Sequence, residues 1–131
     1  MKAINKYIIE KLHLNKGIKS GDDVSLSLHY EIEKILLDKF GFTIGIDYRI
    51  YLSDDKGQIT DAEPKNATYI LIYFAKQHQT EWISKNKNVN KHNEIVNILK
   101  NSNLYDIEDI EVKEHKYLPN KLKISIKIKR G

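Results

Sequence analysis

The chain has 131 residues, with 22 Lys and Arg, 18 Asp and Glu, and no cysteine. This length suits a single domain, residues 1–131, that buries a core without a disulfide or zinc site, and the lack of cysteine excludes thiolate ligands and cysteine nucleophiles. The longest apolar runs fall well short of the ~20 residues that a membrane helix needs. We therefore expect an intracellular protein with no membrane partner.

Positive charge is concentrated in the C-terminal half of the chain. Residues 1–66 carry 10 basic and 11 acidic side chains, whereas residues 67–131 carry 12 basic and 7 acidic ones. Most of the excess follows Glu111. The sequence therefore predicts a basic C-terminal edge as the main electrostatic feature of the protein.

Two amphipathic helices are predicted in the first 40 residues. Over residues 2–12, isoleucine and leucine recur at every fourth position and form one apolar stripe. A second and stronger pattern occupies residues 20–40, and Gly41 supplies the stop signal.

Residues 48–52 and 69–75 have the pattern of strands. The first run alternates and the second is almost continuously apolar, so we expect them to pair as an antiparallel hairpin with a long polar connection. A short helical turn at 80–83 and a helix at 90–100 follow, before a second hairpin.

The second hairpin is predicted from residues 110–113 and 122–129. The last run alternates without a break, which places its aliphatic side chains on one face and lysine and serine on the other. The predicted fold is α+β: two N-terminal helices, then ββαββ, with a mostly antiparallel four-stranded sheet that helices cover on one face.

No motif for catalysis or for binding a metal or a cofactor stands out, and we predict none of the three. Glu111-Val112-Lys113 has the acid-x-lysine spacing found in magnesium nucleases, but alternating strands often produce it, so a nuclease ranks third among the hypotheses. The histidines show no ligand spacing, and we expect them at the surface. They are His13, His29, His78, His92 and His115.

Nucleic-acid binding has more support than catalysis. Cations near the C-terminus would form a ladder on the free face or edge of the sheet, with tyrosine rings beside them as stacking planes. Alternatively, these lysines only protect a solvent-facing strand from pairing with other chains. The candidate residues are Lys113, Lys123, Lys127, Lys129, Arg130, Tyr51, Tyr73 and Tyr117.

The opening sequence, MKAINKYIIEKL, resembles the capsid-targeting leaders of internal and accessory proteins of tailed bacteriophages. In those leaders a prohead protease cuts after an aliphatic-x-Glu triplet, which corresponds here to Ile8-Ile9-Glu10. The resemblance implies cleavage after Glu10, a capsid or scaffold partner, and a location in the host cytoplasm or the virion.

Two functional hypotheses follow. The first is a non-enzymatic phage-type accessory or virion protein that acts through a protein partner, namely a capsid protein, a scaffold protein or another copy of itself. The second is an intracellular module that binds nucleic acid, or inhibits a host factor, through the basic C-terminal hairpin.

Overall fold

The computed structural model describes residues 20–56, 58–59, 67–114 and 122–129, with side chains from Val24 onward. Three helices and four strands lie in this part of the chain. In chain order they are α1 (Ser20–Phe40), β1 (Tyr48–Ser53), β2 (Tyr69–Phe74), α2 (Lys76–Ser84), α3 (Asn88–Lys100), β3 (Ile107–Glu114) and β4 (Leu122–Ile128).

The α+β class and the antiparallel four-stranded sheet are confirmed, but the predicted order of elements is not. Two helices, α2 and α3, connect the two hairpins, whereas the predicted order ββαββ has one helix there. The expected helical turn at 80–83 is a helix of nine residues. The first predicted helix, over residues 2–12, lies outside the described residues.

Helix α1 ends where the sequence predicts. Gly41 adopts a left-handed φ of 72°, a conformation that glycine reaches without steric penalty. Its N–H and that of Phe42 donate hydrogen bonds of 2.9 and 3.1 Å to the carbonyls of Leu37 and Leu36. These bonds close the last turn and direct the chain towards β1.

The strands lie in the order β1-β2-β4-β3, and each neighbouring pair is antiparallel. Strands β2 and β4 are therefore central, and β1 and β3 are the edges of the described sheet. The register continues across all four strands, with an irregularity in β3 between Ile107 and Asp109. Each side chain of a strand can thus be assigned to one of the two faces of the sheet.

The helices cover one face, which we call the helix-side face. Its positions on the central strands are the apolar residues Ile70, Ile72, Phe74, Leu122, Ile124, Ile126 and Ile128. Leu28, Ile32 and Leu36 of α1 and Ile95, Val96 and Leu99 of α3 join the same hydrophobic core. Ile95 and Leu99 of α3 are fully buried, whereas Ile98 is only half-buried.

One histidine contradicts the expectation of surface positions. His92 is fully buried in α3, where its ring meets Phe74 and Trp82 edge-on, with centroids 5.4 and 5.3 Å away. Its Nδ1 lies 2.8 Å from the carbonyl oxygen of Asn88. Because a neutral imidazole can donate one hydrogen bond, this contact lets an aromatic core accept a histidine.

The opposite face, which we call the second face, carries Arg49, Tyr51, Ser53, Tyr69, Leu71, Tyr73, Lys123, Ser125, Lys127, Asp109, Glu111 and Lys113. Its centre is closed to solvent, because Leu71 is 1 % exposed and Ser125 is 4 % exposed. Its charged margins remain accessible, since Arg49 and Lys113 are exposed. Any ligand of this face therefore meets its margins.

Candidate nucleic-acid interface

A row of cations crosses the second face from one edge of the sheet to the other. Arg49 of β1 lies opposite Tyr73 of β2, Tyr73 lies opposite Lys123 of β4, and Lys123 lies opposite Lys113 of β3. With strands about 4.8 Å apart, the backbone positions of the row span roughly 14 Å. We call Arg49, Lys123 and Lys113 the cationic row.

Lys113 and Lys123 are direct cross-strand neighbours. Like charges at directly opposite positions of an antiparallel pair destabilise a sheet. Within the described part of the chain, Arg49, Lys113 and Lys123 form no ion pair with a carboxylate. The row is thus a concentration of positive charge that no described side chain neutralises directly.

Tyrosine rings hold the two lysines in place. The Lys123 ammonium lies 5.7 Å from the centroid of the Tyr73 ring, and that of Lys113 lies 5.7 Å from the Tyr69 ring. Tyr51 meets Tyr73 edge-on, with centroids 5.5 Å apart. Because Tyr69 and Tyr73 each lie beside an ammonium, and Tyr51 packs against Tyr73, these rings help to position the cations.

The remaining predicted cations do not join the row. Lys127 forms an ion pair of 3.1 Å with Glu108, and the hydrogen bond that its ammonium donates to this carboxylate raises the pKa of Lys127. Lys129 is exposed and follows the C-terminal end of β4, whereas Lys123 lies near the N-terminal end of that strand. Of the predicted cations that the structure describes, Lys113 and Lys123 therefore belong to the row, and Lys127 and Lys129 do not.

Four predicted site residues lie outside the described residues: Tyr117, Arg130 and the leader residues Ile8 and Glu10. The leader hypothesis stays a prediction. Cleavage would be tested by mass spectrometry of the N-terminus of protein recovered from its native source.

Sequence reasoning missed Arg49, the member of the row on β1. The signal was present, because Arg49 and Tyr51 are two residues apart and must share a face of a strand. Assigning Arg49 to the same row as Lys123 also required the register of the first hairpin and the order of the strands. Neither can be read from residues 48–52 alone.

The structure gives no support to the nuclease hypothesis in the region it describes. Across the strand pair, Glu111 faces Ser125 rather than an acid. In the described ranges, no three His, Asp or Glu side chains converge as a metal site would require.

A second polar cluster joins the loop before β1 to α2. His78 Nε2 lies 2.8 Å from Asp47 Oδ1, and Asp47 Oδ2 accepts a 2.7 Å hydrogen bond from the Thr43 N–H. Burial acts to raise the pKa of Asp47, but the bonds from His78 and Thr43 outweigh it and leave the pKa below its usual value.

The imidazole of His78 is also stacked on Trp82, with centroids 5.5 Å apart, and it contacts Phe42. Among the described residues no hydroxyl is bonded to His78, as a nucleophile would be. We therefore assign the His78–Asp47 pair a structural role: it fixes the entry to β1 against α2.

No described helix is both long and apolar enough to cross a membrane. Comparisons of the chain with protein-family models, with curated proteins and with solved structures find no match. We therefore infer function from the geometry of the second face.

Proposed function

We propose that the chain is a nucleic-acid-binding module whose cationic row contacts the phosphate backbone. The observation that carries the proposal is the direct opposition of Lys113 and Lys123, in register with Arg49, without a paired carboxylate among the described residues. An arrangement that works against the stability of a sheet is easier to understand if an anion neutralises it.

The alternative role of these lysines, protection of a sheet edge, does not account for Lys123. Charged side chains protect edge strands because edges present unpaired N–H and C=O groups. Strand β4 pairs with β2 on one side and β3 on the other, so it has no free edge. Edge protection applies to Lys113 on β3, but Lys123 needs another explanation.

Phosphate is the anion that this row fits best. A polyanion with regularly spaced charges can engage three cations distributed over roughly 14 Å, whereas a single small anion cannot reach all of them. One arginine and two lysines supply both a planar fork and point charges for phosphate oxygens.

Fluorescence anisotropy with a labelled oligonucleotide tests the proposal. Each phosphate contact releases counterions, so three contacts predict a slope of about −2 to −3 in a plot of log K against log salt concentration. The Arg49→Gln/Lys113→Gln/Lys123→Gln variant should lose most of the affinity and most of this slope.

A matched control removes three charges elsewhere. Lys34, Lys56 and Lys76 are exposed, and their joint replacement by Gln lowers the net charge by the same amount. The control variant should keep the slope of the wild type. Equal losses in the two variants would reduce the effect to net charge, and no binding by the wild type at low salt would overturn the proposal.

A further inference from the structure

The part of the second face beside the cationic row carries the opposite charge. Along β3, Glu111 lies two residues from Lys113, and Asp109 lies two residues further on; both are exposed. Glu108 is exposed as well and already binds Lys127. The β3 side of the face therefore changes from positive to negative along the strand.

The acidic residues lie where the second backbone of a duplex would pass. Antiparallel strands rise about 3.4 Å per residue, which places Glu111 about 7 Å and Asp109 about 14 Å from the cationic row. The minor groove of B-DNA is about 6 Å wide, and this width excludes the phosphate groups on either side, so the two backbones lie farther apart than about 6 Å. A duplex with its minor groove over this face and one backbone on the row would thus bring its other backbone past Glu111 towards Asp109.

Lys127 offsets this repulsion only in part. It lies directly opposite Asp109 and its ammonium pairs with Glu108 at 3.1 Å, so this one lysine stands against the three carboxylates of Glu108, Asp109 and Glu111. A second backbone would therefore meet a surplus of negative charge, and juxtaposed like charges strongly disfavour a complex.

We propose that the nucleic acid bound by the cationic row is a single strand, which lies across the β-strands from Arg49 to Lys113. This inference rests on the proposed function and adds the class of ligand. Glu111 and Asp109 act as specificity residues: they exclude a second backbone without contacting the first.

The experiment compares a labelled single-stranded oligonucleotide with a hairpin duplex of the same base composition, at one salt concentration. The wild type should bind the duplex at least about tenfold more weakly than the single strand. The Glu111→Gln/Asp109→Asn variant should bind the duplex more tightly and reduce this ratio to about threefold or less.

The control variant, Asp38→Asn/Glu94→Gln, removes two carboxylates from helices α1 and α3. It raises the net charge by the same amount, so it should strengthen binding to both probes alike and keep the ratio. Asn at position 109 can still accept the 2.9 Å bond that Asp109 receives from the Ile110 N–H. Circular dichroism of both variants checks that the fold is retained.

The outcomes separate the two proposals. Equal binding of the two probes by the wild type would overturn the single-strand inference and leave the proposed function intact. A discrimination ratio that Glu111→Gln/Asp109→Asn does not change would also overturn the role of the carboxylates. Binding of neither probe would overturn both proposals.

Discussion

The two faces of the sheet place different demands on their side chains. On the helix-side face the central strands β2 and β4 carry apolar residues at every position, and all of them are buried. On the second face the same two strands carry tyrosine, leucine, serine and lysine. Burial of apolar area drives folding, so the first face specifies the fold. The margins of the second face do not contribute to this core, so they can carry charged side chains that have a different role.

The largest expected difference in stability is between substitutions of two adjacent residues on β4. Ile124 is fully buried on the helix-side face, and Ile124→Ala should lower the free energy of unfolding by about 2–5 kcal/mol, because it leaves a cavity. Its neighbour Lys123 points to the other face, and Lys123→Ala should change stability by about 0.5 kcal/mol or less.

Urea denaturation of both variants checks this prediction. Equal losses of stability would mean that the two faces do not differ in their contribution to folding.

Leu71 tests how far the centre of the second face differs from its margins. It is 1 % exposed, so Leu71→Ala should lower the free energy of unfolding by about 2 kcal/mol, at the low end of the range for buried leucine. We expect the low end because long side chains at the margins can move into the space. A loss below about 0.5 kcal/mol, typical of surface sites, would contradict the closed centre.

His92 tests how the helix-side face accommodates an ionisable group. Burial lowers the pKa of His92 below its ordinary value of 6.5, although the hydrogen bond to the Asn88 carbonyl acts in the opposite direction. Below pH 6.5 the unfolded chain therefore binds a proton more readily than the folded protein does. The free energy of unfolding should fall as the pH decreases through that range.

Between pH 7 and pH 5 the loss can reach at most about 2 kcal/mol, the value for a histidine that stays neutral in the folded protein. Denaturation at both pH values should show the fall in the wild type and a smaller one in His92→Leu, which has no proton to bind. His29, which is half-buried and bonded to Glu33 on α1, provides the control variant His29→Gln, which should keep the fall caused by His92. A fall of the same size in His92→Leu would contradict the assignment.

The fold could be predicted where a single segment carries the information. Alternation in 122–129 separates Ile124 from Lys123 without knowledge of any other strand. The sequence predicts only a short turn in place of helix α2, because KQHQTEWIS has no apolar stripe. Its buried residues are Trp82 and Gln79, and the Gln79 amide donates a 3.1 Å hydrogen bond to the Leu122 carbonyl. That contact is specific to the tertiary structure.

The candidate site required information from several segments. The cationic row crosses four strands, so its position depends on the registers of three strand pairs and on the order of the strands. The periodicity of a sequence shows only which residues of one strand lie on the same face. The same limit explains why Lys127 was grouped with Lys123. Its partner Glu108 lies at the irregularity of β3, and that irregularity cannot be predicted from the sequence.

Lys113→Gln should have the smallest effect on stability and yet a clear effect on nucleic-acid binding. Lys113→Gln removes the repulsion with Lys123, which stabilises the sheet, and loses the contact of the ammonium with the Tyr69 ring, which destabilises it. Each effect is of the order of 0.5 kcal/mol and they oppose each other, so the free energy of unfolding should change by less than about 0.5 kcal/mol. The salt-dependence slope of nucleic-acid binding should nevertheless fall by about 0.7, the loss of one phosphate contact.

Lys76→Gln is the control, because Lys76 is exposed on α2 and should change neither quantity. If Lys113 served only to protect the edge strand β3, Lys113→Gln would promote self-association and leave the slope unchanged. Analytical ultracentrifugation of both variants, together with anisotropy titrations over a salt series, distinguishes these outcomes. A fall in the slope without a change in oligomeric state would assign Lys113 to the cationic row, because edge protection does not depend on phosphate contacts.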